Sequence, residues 1–146
     1  MSLHGAYDPN NIFARIIRGD MPSVKVFEDD HVLAFMDVFP QSEGHVLIIS
    51  KTSCARTILD IEADALARVT EATRQIARAA EKALKPDGVT VMQFNGAAGG
   101  QTVFHLHFHV IPRWENRQMK GHGHAPMADM EELKVTAAKI AAALEP

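Results

Sequence analysis

The stretch Thr102-Val103-Phe104-His105-Leu106-His107-Phe108-His109-Val110-Ile111-Pro112-Arg113-Trp114 decides how the rest of the chain is read. Its middle alternates histidine with an apolar residue three times over. Strict alternation marks a half-buried β-strand, because successive side chains point to opposite faces of a sheet. Leu106, Phe108 and Val110 then face a core, while His105, His107 and His109 line the other face. Residues two apart along a strand lie roughly 6.5–7 Å apart, from a rise of about 3.3 Å per residue. One histidine on a strand reads as ordinary packing. Three in register do not, since exposed strand positions favour Thr, Val or charged residues, and each buried imidazole needs its own partner. The run is an array that one substrate or one metal ion can touch.

Upstream of this strand lies the loop Asn95-Gly96-Ala97-Ala98-Gly99-Gly100-Gln101-Thr102. It lacks the lysine and the GKS or GKT ending of a P-loop. By composition it is a glycine-rich hairpin loop. By position, feeding three histidines, it is a place where backbone N–H groups could cradle phosphate oxygens. A neutral imidazole can attack phosphorus with one nitrogen while the other donates the hydrogen bond that fixes its tautomer. Neighbouring imidazoles titrate as a coupled set, so one can stabilise developing charge while another stays a nucleophile.

The remaining segments supply the scaffold. Asp8-Pro9-Asn10-Asn11 forms a turn capping a short helix, Ile12 to Arg18, which Gly19-Asp20 and Pro22 stop. Ser23 to Phe27 and His31 to Asp37 read as strands joined by the acidic turn Glu28-Asp29-Asp30. His45 to Ser50 is a third strand, whose apolar run Val46 to Ile49 suits a central position covered on both faces. Asp60 to Lys85 is the longest helical pattern, with Leu66, Val69, Ile76, Ala80, Ala83 and Leu84 on one stripe. Val89 to Phe94 is a fourth strand, and Met130 to Leu144 a final helix preceded by a loop carrying His122 and His124. That loop, Gly121-His122-Gly123-His124, reads as flexible and surface-exposed. His45, taken alone, is either a polar residue at a strand edge or a functional one.

Bulk properties narrow the function classes. A chain of 146 residues suits one domain with a single sizeable core. A net charge of −3 with no basic block speaks against a nucleic-acid surface. No apolar run approaches a membrane span and no signal-peptide core opens the chain. The one cysteine, Cys54, excludes an intrachain disulfide and fits a reducing cytoplasm.

The motif His105 to Ile111, its approach Gly99 to Phe104, and the run Leu33 to Lys51 together resemble the histidine triad family of nucleotide hydrolases and transferases. The resemblance spans about residues 11–114, with residues 115–146 a C-terminal loop and helix. It implies an α+β fold with a five-stranded antiparallel sheet packed with helices, pairing as a homodimer with a continuous sheet. It implies hydrolysis at the α-phosphate of a purine nucleotide, with no cofactor and no metal in the reaction. By the same resemblance His107 is the nucleophile, His109 faces phosphate and leaving group, and His105 supports. Thr102 stands where the nucleoside phosphoramidase branch has serine near the leaving group, and His45 matches an additional upstream histidine. Asp37 matches a carboxylate that accepts hydrogen bonds from ribose, and Gly100 and Gln101 belong to the substrate-binding loop. Ile12, Phe13, Phe35, Val38 and Leu47 match an apolar pocket around the base, although apolar residues on strands and helices also serve as core.

Departures from the family pattern are specific. Phe94 stands where many members have asparagine, so Asn95 is the residue that could take over that polar contact. Some bacterial relatives carry a CxxC pair and a histidine for structural zinc; here those positions are Asn11, Ala14 and Ser53, and zinc in that mode is not expected. Three readings stay open: a phosphoramidase, or else a dinucleoside polyphosphate hydrolase or nucleotidyl transferase of the same family; a metal-dependent hydrolase using the strand histidines as ligands; and a nucleotide-binding regulator with vestigial catalysis.

Overall fold

The computed structural model describes residues 3–145. Three helices, α1 (Ile12–Arg18), α2 (Ala63–Leu84) and α3 (Met130–Ala142), accompany five strands. The strands are β1 (Lys25–Glu28), β2 (Val32–Met36), β3 (Val46–Ser50), β4 (Gly88–Gln93) and β5 (His107–Arg113). They form one sheet in the order β1-β2-β3-β5-β4, with every neighbouring pair antiparallel. The α+β architecture expected from the sequence is therefore present. β3 is the central strand, as its unbroken apolar run requires.

Local chemistry fixes the element ends. Asn11 caps α1, its Oδ1 accepting from the amides of Phe13 and Ala14 at 3.0 Å each. Gly19 closes α1 in the left-handed region. α2 ends one residue earlier than Pro86 and Gly88 suggest, because Lys85 itself takes the left-handed position at φ +51°. Asp129 caps α3 through the amide of Glu131.

The two faces of the sheet bury different partners. Ala34, Met36, Val46, Ile48 and Val110 pack against Val69, Ile76, Leu133 and Ile140 of α2 and α3. Leu33, Phe35, Leu47 and Ile49 pack with Phe13 and Ile16 of α1 in a smaller cluster. Each fully buried side chain of this size contributes about 1.5–3 kcal/mol of transfer free energy. Register decides which face carries the histidines. Leu47 pairs with His109 and Ile49 with His107, so both imidazoles lie on the α1 face. Phe108 and Val110 turn the other way, as the alternation predicts.

Two corrections concern the histidine stretch and its surroundings. The strand begins at His107, whereas the alternation suggests an earlier start. The amide of Leu106 donates to Ala55 O at 3.0 Å, so residues just before β5 bond to the segment after β3 instead of continuing the ladder. The histidine face is also no solvent-facing surface: His105, His107 and His109 are all buried.

Gly44 sets the entry to β3. It sits at φ +83°, and a Cβ there would stand 2.5 Å from Leu84 Cδ1 and 3.1 Å from Pro112 Cγ. Gly44→Ala combines left-handed strain with overpacking between α2 and β5. Urea unfolding should show a loss of about 2 to 4 kcal/mol for this variant. A change within about 0.5 kcal/mol of zero would contradict the packing described.

Candidate active site

Three imidazoles come from the β5 stretch and a fourth from the entry to β3. The rings of His107 and His109 lie 5.0 Å apart, and those of His45 and His109 5.1 Å apart. Hydrogen-bond partners settle where the protons sit. His105 Nε2 faces Ser50 O at 3.0 Å and must donate to it. His105 Nδ1 then accepts from the Tyr7 hydroxyl at 2.7 Å. His107 Nδ1 lies 2.7 Å from the carbonyl oxygen of His105 and must carry its proton there. His107 Nε2 is thereby left with a lone pair.

The neighbouring histidine has the opposite tautomer. The amide of Gln41 donates to His45 Nδ1 at 3.0 Å, so His45 carries its proton on Nε2. That Nε2–H donates to His109 Nδ1 at 2.9 Å. His109 must then carry its own proton on Nε2, an atom that is buried without a partner among the described residues. One face of the sheet thus presents a nucleophilic lone pair and an unspent N–H donor on adjacent rings. Asp37 supports this pair: its Oδ1 accepts from the Phe39 amide at 2.8 Å and its Oδ2 lies 3.6 Å from His45 Nε2.

Burial keeps these rings neutral. Desolvation, with the neighbouring imidazole charges adding to it, lowers His45 to about 3 and His109 to about 2. Burial likewise lowers His107 to about 4, although its bond to the His105 carbonyl works the other way. His105 is lowered by burial against the opposing bond to Ser50. Asp37 is raised by burial, partly offset by the Phe39 amide and by His122.

The other expected site residues divide. The Phe13 ring stands perpendicular to His107 at 4.9 Å and meets Phe35 edge-on at 5.4 Å, with Leu47 buried beside them. Ile12 is exposed, on the solvent side of α1. Val38 packs instead with the α2–α3 layer. Thr102 is exposed in the loop before β5. Asn95 spends its side chain on Gln93 and on the amide of Ile58, which anchors the neighbouring turn. Gln101 is buried as a brace, accepting from Gly96 N and donating to the carbonyls of Arg56 and Val103. The amides of Gly99, Gly100 and Gln101 all donate inside the loop, to Gly96 O or Ala97 O. The loop is a self-closed turn at these positions, which limits the backbone groups it can offer a phosphate.

Tyr7, Gln41 and His122 were not expected at the site. The His122 ring lies 5.6 Å from His109 and 4.9 Å from Phe94, so this one residue turns inward from a loop whose other members, Gly121, Gly123 and His124, are exposed as expected. Gln41 is the fastener: its side-chain amide donates to Lys120 O and its carbonyl accepts from Lys120 N, both at 2.8 Å. Its sequence signal is weak, since a glutamine in a loop is ordinarily solvated. Tyr7 has no local signal at all, lying 98 residues from its partner.

Neutral buried imidazoles make the fold acid-sensitive. In the unfolded chain these histidines take up protons near pH 6.5, while the folded protein resists until much lower pH. Unfolded chains then bind more protons, so stability falls as pH drops below about 6.5. For His45, His107 and His109 the penalty at pH 5 reaches up to about 2 kcal/mol each. Urea unfolding at pH 7 and pH 5 should show this decline; equal stability at both would contradict neutral burial.

The model of the HIT domain matches residues 18–116. A Hit-like protein from Bartonella henselae, solved by crystallography, superposes with a TM-score of 0.90 at 50% identity, covering 96% of this chain and 100% of its own. Protein hit of Bacillus subtilis is 42% identical over 105 residues, 72% of each chain. Adenylylsulfatase HINT3 of Arabidopsis thaliana is 36% identical over 117 residues, 76% of this chain and 59% of that protein. The chain belongs to the HIT family and has its nucleotide-binding, hydrolase-type fold.

Proposed function

We propose that this chain is a nucleotide hydrolase that cleaves the bond between the α-phosphate of a purine nucleotide and its leaving group, as in nucleoside phosphoramidates and related nucleotidyl conjugates. The observation that carries the reading is the pair of opposed tautomers on His107 and His109. The lone pair of His107 Nε2 forms a bond to the α-phosphorus as the bond to the leaving group breaks. The leaving group departs with that electron pair, and His109 Nε2–H gives it a proton or a hydrogen bond. Water then attacks the nucleotidyl-histidine, giving its proton to His109 Nε2 where that atom has protonated the leaving group and to solvent where it has not; the N–P bond breaks and its electrons return to His107 Nε2. His105 holds His107 in register through its carbonyl, and His45 holds the tautomer of His109.

The remaining assignments follow the same pose. Asp37 Oδ2 accepts from the ribose hydroxyls, and the purine lies against Phe13, Phe35 and Leu47, with Ile12 at the rim. Thr102 and the Gly100–Gln101 turn flank the phosphates. Relatives include an adenylylsulfatase, which supports chemistry at an α-phosphate. The dinucleoside polyphosphate and nucleotidyl transferase branches use the same two steps and differ in leaving group or acceptor. The expected setting is cytoplasmic, and no helix among the described residues is long and apolar enough to cross a membrane. A homodimer is expected, and β4, at the sheet edge with Val91 half exposed, offers a strand for joining two sheets.

Metal-dependent hydrolysis is a second reading with its own observation. Asp37, His45 and His109 offer ligand atoms within 4.8 Å of one another. A cation there would have to replace the His45–His109 hydrogen bond, since both facing nitrogens would need lone pairs. His105 and His107 would stay outside it, each held by a backbone carbonyl.

Single-turnover mixing with AMP phosphoramidate separates the two. Metal-free protein should accumulate acid-labile AMP label, insensitive to chelator, and His107→Ala should accumulate none. Activity lost to chelator and restored by zinc, without label, would overturn the covalent reading.

A further inference from the structure

A third imidazole reaches the outer side of His109. It belongs to His122, in the loop between β5 and α3. The His122 ring stands at 86° to that of His109, and both rings pack on Phe94, at 4.9 Å for His122 and 5.4 Å for His109. His122 Nε2 and His109 Nε2 are both buried, and neither has a hydrogen-bond partner among the described residues. The relay from Gln41 puts a proton on His109 Nε2, and with the His122 proton also on Nε2 a bound acceptor would recover the cost of burying both groups.

The loop is held where it is. Lys120 bonds to Gln41 through both its amide and its carbonyl, and Ala128 N donates to Val38 O at 2.9 Å. Gly123, at φ +78°, makes the turn that follows His122. Gln41 also sets the His45–His109 relay through its amide. The loop and the relay therefore share one anchor, and the position of His122 is built into the site.

We propose that His122 is a leaving-group residue: with His109 it presents two N–H groups to a tetrahedral oxyanion, sulfate or phosphate, leaving from the α-phosphorus. The inference rests on the nucleotide hydrolase reading and specifies its substrate class. An amine leaving group has one reacting nitrogen, needs one proton, and is served by His109 alone. A sulfate or phosphate leaves with the electron pair of the broken P–O bond, needs no proton, and spreads its charge over several oxygens. Two N–H donors match such a group, one oxygen each. The titratable groups around His122 and His109 among the described residues are Asp37 after β2, His45 before β3 and His107 on β5; Asp37 Oδ2 lies 3.6 Å from His45 Nε2, and its charge is also felt by His122.

The test compares adenylyl sulfate, diadenosine tetraphosphate and AMP phosphoramidate on the wild type, His122→Ala and His122→Gln. In His122→Ala the kcat/KM ratio of adenylyl sulfate to AMP phosphoramidate should fall tenfold or more. His122→Gln, whose amide places an N–H near the Nε2 position, should keep that ratio within threefold of wild type. A parallel fall with diadenosine tetraphosphate extends the site to phosphate; a fall confined to one substrate names the oxyanion it takes. An unchanged ratio in His122→Ala for both oxyanion substrates, with AMP label still forming on His107, overturns the role of His122 and leaves the hydrolase reading standing. Absence of label with all three substrates on the wild type overturns both.

Discussion

The hydrogen bond from His107 Nδ1 to the carbonyl of His105 is the constraint on which the site depends. It fixes one proton and so leaves one lone pair. In a continuous ladder the carbonyl of His105 would be engaged with a neighbouring strand. It is available because residues 103–106 leave the sheet and β5 starts only at His107. The same departure lets His105 use Ser50 O and Tyr7 to fasten its own ring. A strand that began two residues earlier would keep the three histidines and lose the arrangement that makes them differ.

Differences between like residues also run through the second half of the site. His45 and His109 are buried, neutral and joined, and the order of donors along Gln41, His45 and His109 points one N–H towards solvent-excluded space. Neither imidazole could do this alone. A free histidine samples both tautomers, whereas here the backbone amide of Gln41 has already chosen one. Preorganised donors of this kind cost little reorganisation when charge develops, which is why they count more than the same groups in water.

Much of this was legible in the sequence. Period-two alternation placed Phe108 and Val110 in the core, the apolar run of β3 marked the centre of the sheet, and Asn11 announced the start of α1. The histidines were identified by type and spacing. What escaped was anything resting on tertiary contact. Tyr7 and Gln41 have ordinary local contexts, and their importance comes from partners 98 and 79 residues away. His122 sits between glycines, a context that reads as mobile, yet Gln41 and Val38 tie the loop at both ends. Asn95 and Gln101 had the right polarity for ligand binding but are spent on bracing turns. Val38 faces the other layer, because a residue just past the end of a strand need not keep the alternation of the strand.

The most direct measurement is a long-range proton–nitrogen correlation spectrum of the imidazoles at neutral pH. His107 should show its proton on Nδ1 and an unprotonated Nε2, while His45 and His109 should show theirs on Nε2. A spectrum with the His107 proton on Nε2, or with His107 and His109 in the same tautomer, would contradict the division of nucleophile and donor on which the proposed chemistry rests.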